Sequence, residues 1–459
     1  MSNILHEWVL SLSRLPSGRA RRHRSAPSSI VLILTLSLAP KAARAAENPL
    51  TLELALREAR AANARLPLSA LDVSIARERT AEARAERWFK VAADGDFIYA
   101  PPGAYDPVVT NSGEFRLQLG ARQPLYDGGA RSAGILRAEA DQEAAGARYR
   151  IAEKELDLEV RGRFAEFLQA QSEIGVRHEG SKRLGTYRTS LKSRQAAGQG
   201  VGADILKTDV RIALEETNLL DAQRRLDQAR LALNDLMGRD PTAPLSVVPL
   251  PPPEPRSGQL ENEWLGAPDV TAAEAETRAA DALVSVAASE RKPHLFVTAD
   301  AGFWGSDTSR LVPSELRASN PDATLADRIR RDAGYSFGLT LTWPLWDHGA
   351  ARARVAQAEL GLERAKHNRE VQVRTARLQW EEARSTLRNL ALQIEVLSRS
   401  VPDAHDAYLD AESRYRGGSA TSLEVLDSYS AAVDASVRLT DAIARYRIAQ
   451  ALEARWGTQ

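Results

Sequence analysis

Apolar and polar positions along the chain follow two alternating regimes, one of period two and one helical. Phe89, Val91, Ala93, Gly95, Phe97 and Tyr99 interleave with Lys90, Ala92, Asp94, Asp96 and Ile98, and Phe115, Leu117, Leu119 and Ala121 with Arg116, Gln118, Gly120 and Arg122. In the second half Leu295, Val297, Ala299, Ala301 and Phe303 interleave with Phe296, Thr298, Asp300, Gly302 and Trp304, and Tyr335, Phe337, Leu339, Leu341 and Trp343 with Ser336, Gly338, Thr340 and Thr342. Period two predicts strands whose two faces differ in polarity. Each run is about ten residues, enough to cross a bilayer when tilted, with aromatics near the ends where an interfacial girdle belongs. Alternation alone fits a soluble half-buried sheet equally well. Four strands cannot close a barrel, and open edges in lipid leave backbone groups unpaired, so a membrane reading requires several copies that each give four strands. The connections Pro101–Ser112, short, and Ser306–Ala333, long and polar, are expected as loops outside the cell.

The rest of the pattern is helical. Helices are predicted over about Leu52–Arg87 and Val270–Arg291. No proline interrupts Gly129–Ala197, about 69 residues and on the order of 100 Å of helix. The corresponding Gly349–Arg416 contains one proline, Pro402, a candidate kink. Helices of this length need neighbours along their whole course, as in coiled coils. Gly198-Gln199-Gly200-Val201-Gly202 and Gly417-Gly418-Ser419-Ala420-Thr421-Ser422 read as hairpin turns, after which the chain returns over Ala203–Met237 and Leu423–Trp456. A dinucleotide loop would follow a strand; this glycine run follows a helix.

The chain is written twice. Pro124-Leu125-Tyr126-Asp127-Gly128-Gly129-Ala130 recurs as Pro344-Leu345-Trp346-Asp347-His348-Gly349-Ala350, a shift of 220 positions (344 − 124). Ser193-Arg194, Gly198 and Asp204-Ile205-Leu206 recur at the same shift as Ser413-Arg414, Gly418 and Glu424-Val425-Leu426. Leu236-Met237-Gly238-Arg239-Asp240-Pro241 ends the first copy, and Pro251-Pro252-Pro253-Glu254-Pro255 reads as an extended crossover. The organisation expected is a signal peptide over 1–45, a first repeat over 46–240, a Pro-rich linker over 241–269 and a second repeat over 270–459.

Arg19, Arg21, Arg22 and Arg24 precede an apolar run, Ile30–Ala39, and Ala43-Arg44-Ala45 supplies a cleavage signature. The alternative is a single membrane anchor, against which the run is short of the ~20 residues a spanning helix needs. The 61 basic residues balance 61 acidic ones, which removes the electrostatic case for a nucleic-acid partner. With no cysteine there are no disulfides, thiolate ligands or N-terminal lipid attachment. His6, His23, His178, His294, His348, His367 and His405 are scattered without metal-binding spacing, and no nucleophile elbow or phosphate loop appears; no enzyme activity, metal or cofactor is expected.

The order of these motifs, twice over, resembles the TolC family of outer-membrane efflux proteins. The resemblance rests on Leu50-Thr51-Leu52 through Ala59 with Asn63, the Pro-Leu-Tyr-Asp-Gly-Gly and Pro-Leu-Trp-Asp-His-Gly junctions, Ala267-Pro268-Asp269-Val270, and Arg414-Tyr415-Arg416-Gly417-Gly418 followed by Glu424-Val425-Leu426-Asp427. It implies a mainly α fold with membrane β-structure: a homotrimer with four strands per chain in a 12-stranded barrel and a 12-helix periplasmic tunnel. The implied function is the outer-membrane exit duct of a tripartite efflux system. Implied partners are a periplasmic adaptor (membrane fusion protein), an inner-membrane transporter and outer-membrane lipid. Alternatives are a type I protein-secretion duct or a secreted coiled coil without a pore.

The resemblance also assigns residues. Asp204, Glu424 and Asp427 match an acidic ring at the tunnel entrance; for Glu424 the local alternative is a solvated helix start. Tyr415 with Asp204 matches a latch between helices. Arg194, Gly198, Arg414 and Gly418 match the tip turns that meet the adaptor, and Pro124, Asp127, Gly129, Pro344, Asp347 and Gly349 match strand–helix junctions. The chain departs from the family pattern at Ala420, where some members carry Arg, and at Glu424 in place of Asp.

Overall fold

The structure, a computed structural model, describes residues 49–99, 113–199, 202–252, 263–306 and 310–457. The expected export segment, the Pro101–Ser112 connection, Gly200-Val201 and Pro253–Pro255 lie outside the described residues. In chain order the elements are α1 (Leu52–Ala62), α2 (Arg65–Ala85), β1 (Lys90–Ile98), β2 (Glu114–Tyr126), α3 (Ala130–Ala196), α4 (Gly202–Leu236), a 3-10 turn (Glu263–Gly266), α5 (Pro268–Ser289), β3 (His294–Ser306), α6 (Ser314–Ser319), α7 (Leu325–Asp332), β4 (Ala333–Thr342), α8 (Ala350–Arg416) and α9 (Ser422–Trp456).

Two segments differ from the sequence reading. The helix expected over Leu52–Arg87 is two helices, because Asn63 leaves helical geometry and its Oδ1 accepts from the N–H of Arg65 at 2.9 Å. Asn competes for local backbone donors in this way at helix ends. The polar loop expected over Ser306–Ala333 contains α6 and α7. A capping box starts α7: the Thr324 hydroxyl accepts from the Asp327 N–H, and the Asp327 carboxylate accepts from the Thr324 N–H at 2.9 Å.

The two halves carry helices of equal length. α3 and α8 have 67 residues each and α4 and α9 have 35 each. α8 continues through Pro402. The repeated junction motif explains how a strand becomes a long helix. Gly129 and Gly349 adopt positive φ, 96° and 87°, immediately before the helix. Asp127 then accepts from the N–H groups of Gly129 and Arg131, each at 3.0 Å, and Asp347 from those of Gly349 at 3.0 Å and Ala351 at 2.6 Å. Each carboxylate thus satisfies two otherwise orphaned donors at a positive helix end.

The strands form one antiparallel sheet in the order β1-β2-β3-β4. Its register puts like with like. Val91 pairs with Ala121, Ala93 with Leu119, Phe97 with Phe115, Leu117 with Phe303, Val297 with Leu339 and Ala299 with Phe337, all on one apolar face. Asp94 pairs with Gln118, Asp96 with Arg116, Arg122 with Thr298 and Asp300 with Ser336 on the other. The apolar face is open: Phe97, Tyr335 and Phe337 are each more than 70% exposed. Gly302 admits close approach on the polar face, since a Cβ there would collide with the Leu117 carbonyl.

The helices make an open layer. α4 packs on α3, α3 on α9 and α9 on α8; nearer the sheet, α2 packs on α3, α3 on α5 and α5 on α8. Ala-rich contacts and clusters around Phe164, Trp380 and Tyr446 fill the layer. Between α3 and α4 lies a buried ion network in which Arg177 donates to Glu173 at 2.8 Å and to Glu215 at 3.1 Å, while Arg225 donates to Glu173 at 2.9 Å. Each buried carboxylate therefore has a charged partner, and loss of either would leave an uncompensated charge. No helix among the described residues is long and apolar enough to cross a membrane.

The junction cap yields a pH-dependent prediction. Burial alone would raise the Asp127 carboxyl, but the Arg131 guanidinium and the N–H groups of Arg131 and Gly129 more than offset it and hold it below its usual range. A depressed carboxyl stabilises the fold above its unfolded pKa, and that contribution fades as pH falls through the folded value. Asp127→Ala should cost about 1 kcal/mol at neutral pH. In thermal melts the deficit against the parent should shrink below about pH 4.

Candidate functional site

One polar cluster joins all four helix ends at the tip remote from the sheet. Both turns there are Schellman caps. Gly198 has φ 75°, its N–H donates to Gln195 at 3.0 Å, and the Gln199 N–H donates to Arg194 at 2.9 Å. Gly418 has φ 81°, its N–H donates to Tyr415 at 3.1 Å, and the Ser419 N–H donates to Arg414 at 2.9 Å. Glycine is required at both because only the left-handed conformation returns these donors to the last carbonyls. The sequence-expected Gly198, Gly418, Arg194 and Arg414 thus occupy equivalent places in two equivalent caps.

Across the turns the structure brings Tyr415 and Asp204 together. The Tyr415 hydroxyl donates to Asp204 Oδ2 at 3.3 Å, tying the end of α8 to the start of α4. Arg194 donates to the Tyr415 carbonyl at 2.8 Å, and its guanidinium lies over the Tyr415 ring, 5.0 Å from the centroid. Two further residues complete the knot. Tyr187 of α3 stacks edge-on against Tyr415 with centroids 5.5 Å apart, and its hydroxyl contacts Ser422 Oγ of α9 at 3.2 Å. α3, α4, α8 and α9 therefore each contribute to one cluster, which rests on an apolar core of Leu184, Leu191, Tyr408, Val425 and Tyr429.

Sequence reasoning missed Tyr187 and Ser422. Leu184, Tyr187 and Leu191 stand at helical spacing, a signal that Tyr187 faces inward. Nothing in the sequence assigns Ser422 to it.

Burial pushes the Tyr415 hydroxyl above its ordinary range, and the neighbouring Asp204 carboxylate adds to the shift. Burial pushes Tyr187 up as well, and raises Tyr408 to about 12. The phenols are therefore donors throughout the physiological range.

Glu424 and Asp427 are both exposed on the first turns of α9, apart from the Tyr415–Asp204 bond. Glu424 takes part in its own helix start: its N–H donates to Thr421 Oγ1 at 3.2 Å, and the Thr421 hydroxyl donates to Glu424 Oε1 at 3.1 Å. Arg414 pairs with Asp410 at 2.8 Å. At the opposite ends of the long helices, Asp127, Gly129, Asp347 and Gly349 hold the junctions described above, and Pro124 lies at the register shift where β2 leaves β3. Pro344 precedes Asp347 outside the β4 ladder.

Comparison with known proteins agrees with this architecture. The family model described as outer membrane efflux protein matches residues 53–239 and 261–458. Among curated relatives, the pyoverdine export outer membrane protein OpmQ of Pseudomonas aeruginosa is 26% identical over 258 residues, covering 54% of this chain and 50% of that protein. The chain spans about half the length of the curated relatives it matches. Among solved structures, the outer-membrane channel OprN superposes with a TM-score of 0.75 at 22% identity, covering 88% of this chain and 89% of that one. The outer membrane protein VceC of Vibrio cholerae gives a TM-score of 0.75 at 18% identity, covering 88% and 95%.

Tyr415→Phe keeps the ring and removes the bond to Asp204, a change of about 1 kcal/mol. Amide exchange at the start of α4 and the end of α8 should accelerate roughly fivefold, with distant helices unaffected. Because the raised phenol stabilises the contact only while protonated, the parent should show the same acceleration as pH rises past the ordinary tyrosine range near ~10. Tyr415→Phe should lack that alkaline step.

Proposed function

The chain belongs to the outer membrane efflux protein family, and we propose that three copies of it close into a passive exit duct across the outer membrane. One observation carries the reading: both layers of the fold end in unpartnered edges. Among the described residues β1 and β4 each have a strand neighbour on one side only, and the sheet presents a predominantly apolar, exposed face that includes Phe97, Leu117, Tyr335 and Phe337. In lipid each unpaired backbone group costs several kcal/mol, so β4 of one copy pairs with β1 of the next until the sheet closes. Four strands from each of three chains give a barrel of the size membrane barrels adopt.

The helical layer supports the same closure. α2 and α4 form one margin and α8 the other. Leu68 and Leu71 on α2, Leu206, Val210 and Leu220 on α4, and Leu360, Leu378 and Leu392 on α8 are all more than half exposed. Neighbouring copies cover these stripes by bringing α8 against α2 and α4 of the next chain, which encloses a tunnel continuous with the barrel.

A conduit of this kind has no energy source of its own. An inner-membrane transporter supplies it, through a periplasmic adaptor that docks at the tips around Gly198, Gly418, Arg194 and Arg414. The Tyr415–Asp204 bond and its neighbours hold the tip in its resting arrangement. Threefold repetition gathers Glu424 and Asp427 into a ring of carboxylates that favours cations. The duct performs no chemistry on its cargo and needs no cofactor.

The purified protein inserted into a planar bilayer should give discrete conductance steps; a soluble monomer without conductance would overturn the duct. Glu424→Ala with Asp427→Ala should lower the cation-to-anion permeability ratio and weaken block by divalent cations. An unchanged ratio would remove the ring assignment while leaving the duct intact.

A further inference from the structure

The loop between β3 and β4 does more than connect them. α7 lies over the apolar face of the sheet, at the end away from the long helices. Between them is a cleft of about 490 Å³, floored by Phe97, Phe115, Leu117 and Phe303 and roofed by Leu325 and Ile329. Arg310 and Leu311 stand at its mouth. The roof is fixed by a buried ion pair: Arg328 contacts Asp332 at 3.2 Å, donates to the carbonyls of Ser306 at 3.0 Å and Leu311 at 3.2 Å, and covers the Phe115 ring at 5.0 Å from its centroid.

This placement is unexpected for a loop whose only task is to join two strands. A polar loop on a membrane barrel is hydrated above the bilayer or folded into the lumen. Here an eight-residue helix with two apolar side chains, both about half exposed, extends over the face that carries the aliphatic band. The floor residues share that face through their pairing, Phe97 with Phe115 and Leu117 with Phe303. They belong to β1, β2 and β3, so the cleft sits within one chain's sheet and reaches the β4-to-β1 seam only through Phe97.

The geometry points to a lipid site, in which the cleft holds an acyl chain of lipopolysaccharide and the arginines around its mouth hold a lipid A phosphate. The inference rests on the membrane reading above. Three features select this occupant. The floor continues the face turned to the bilayer, so an acyl chain reaches it without leaving lipid. The loop end lies at the outer leaflet, because the opposite strand ends lead into the periplasmic helices. Arg310 and Arg330 are exposed around α7 and its approach, beside Arg331, which pairs with Asp332 at 3.0 Å; the first two complement an anionic phosphate placed above a buried chain.

The test uses the full mature chain, assembled and purified in detergent, with hexa-acylated bisphosphoryl lipid A or phosphatidylglycerol added, and bound lipid counted by native mass spectrometry. One lipid A per chain should survive, in preference to phosphatidylglycerol. Arg310→Gln with Leu311→Asn changes only exposed side chains and should weaken retention about tenfold. Equal retention of phosphatidylglycerol, or retention unaltered in the double variant, overturns the site. Liposome flotation of the same samples separates the two readings: a parent that does not float overturns the membrane reading and this site with it, whereas a parent that floats without selective lipid A overturns the site alone.

Discussion

An antiparallel sheet with two free edges and one largely apolar face has no stable place in water or in lipid as a single copy. Water opposes the apolar face; lipid opposes the edges, whose N–H and C=O groups find no substitute partner there. The rest of the architecture is a response to that conflict. The strands are about as long as a tilted bilayer crossing. Their register gathers most apolar side chains on one face, and the other face carries charges that only a watery interior can solvate. The helical layer repeats the same incompleteness in softer form, with margins made of leucines instead of unpaired amides.

Joining these two regions is a matter of helix chemistry. The long helices begin where the sheet ends, and an unsupported helix start would leave donors bare at the membrane boundary. Asp127 and Asp347 solve the problem identically in both halves, each by accepting from two N–H groups. At the far end, glycine in the left-handed conformation closes each hairpin. The fold thus places its least negotiable residues at the two ends of the helices. The middle, where alanine and ion pairs alternate, carries specificity through contacts such as the Glu173–Arg177–Glu215 network.

Much of this could be read from the chain. Strand faces follow from period two, and the helix stops follow from glycine and proline, so the long-helix limits differ from the sequence reading by a residue or two. The shift between the two copies located both turns. What could not be read was proximity between elements distant in sequence. Tyr187 and Ser422 are 235 positions apart, and no local pattern says that α3 and α9 are neighbours. The helices inside the outer connection were hidden for a different reason. Their polar composition resembles a loop, and the Thr324–Asp327 box that starts α7 is a weak signal among many threonines and aspartates. The break at Asn63 was obscured by continuous apolar spacing across it.

Duplication made two hairpins of equal length, yet the two sides of the cluster between them are tied by different residues. The position that corresponds to Tyr415 is Gln195, too short and of the wrong shape to repeat the phenol's reach, and the counterpart of Asp204 is Glu424, which is occupied with Thr421. The inherited twofold likeness therefore ends at the tip. Six hairpins arranged in a ring would look alike in backbone but alternate in chemistry, between the Tyr415–Asp204 bond and the Tyr187–Ser422 contact. A partner approaching from below would meet a threefold surface drawn on a sixfold frame, and would feel the difference at every second seat.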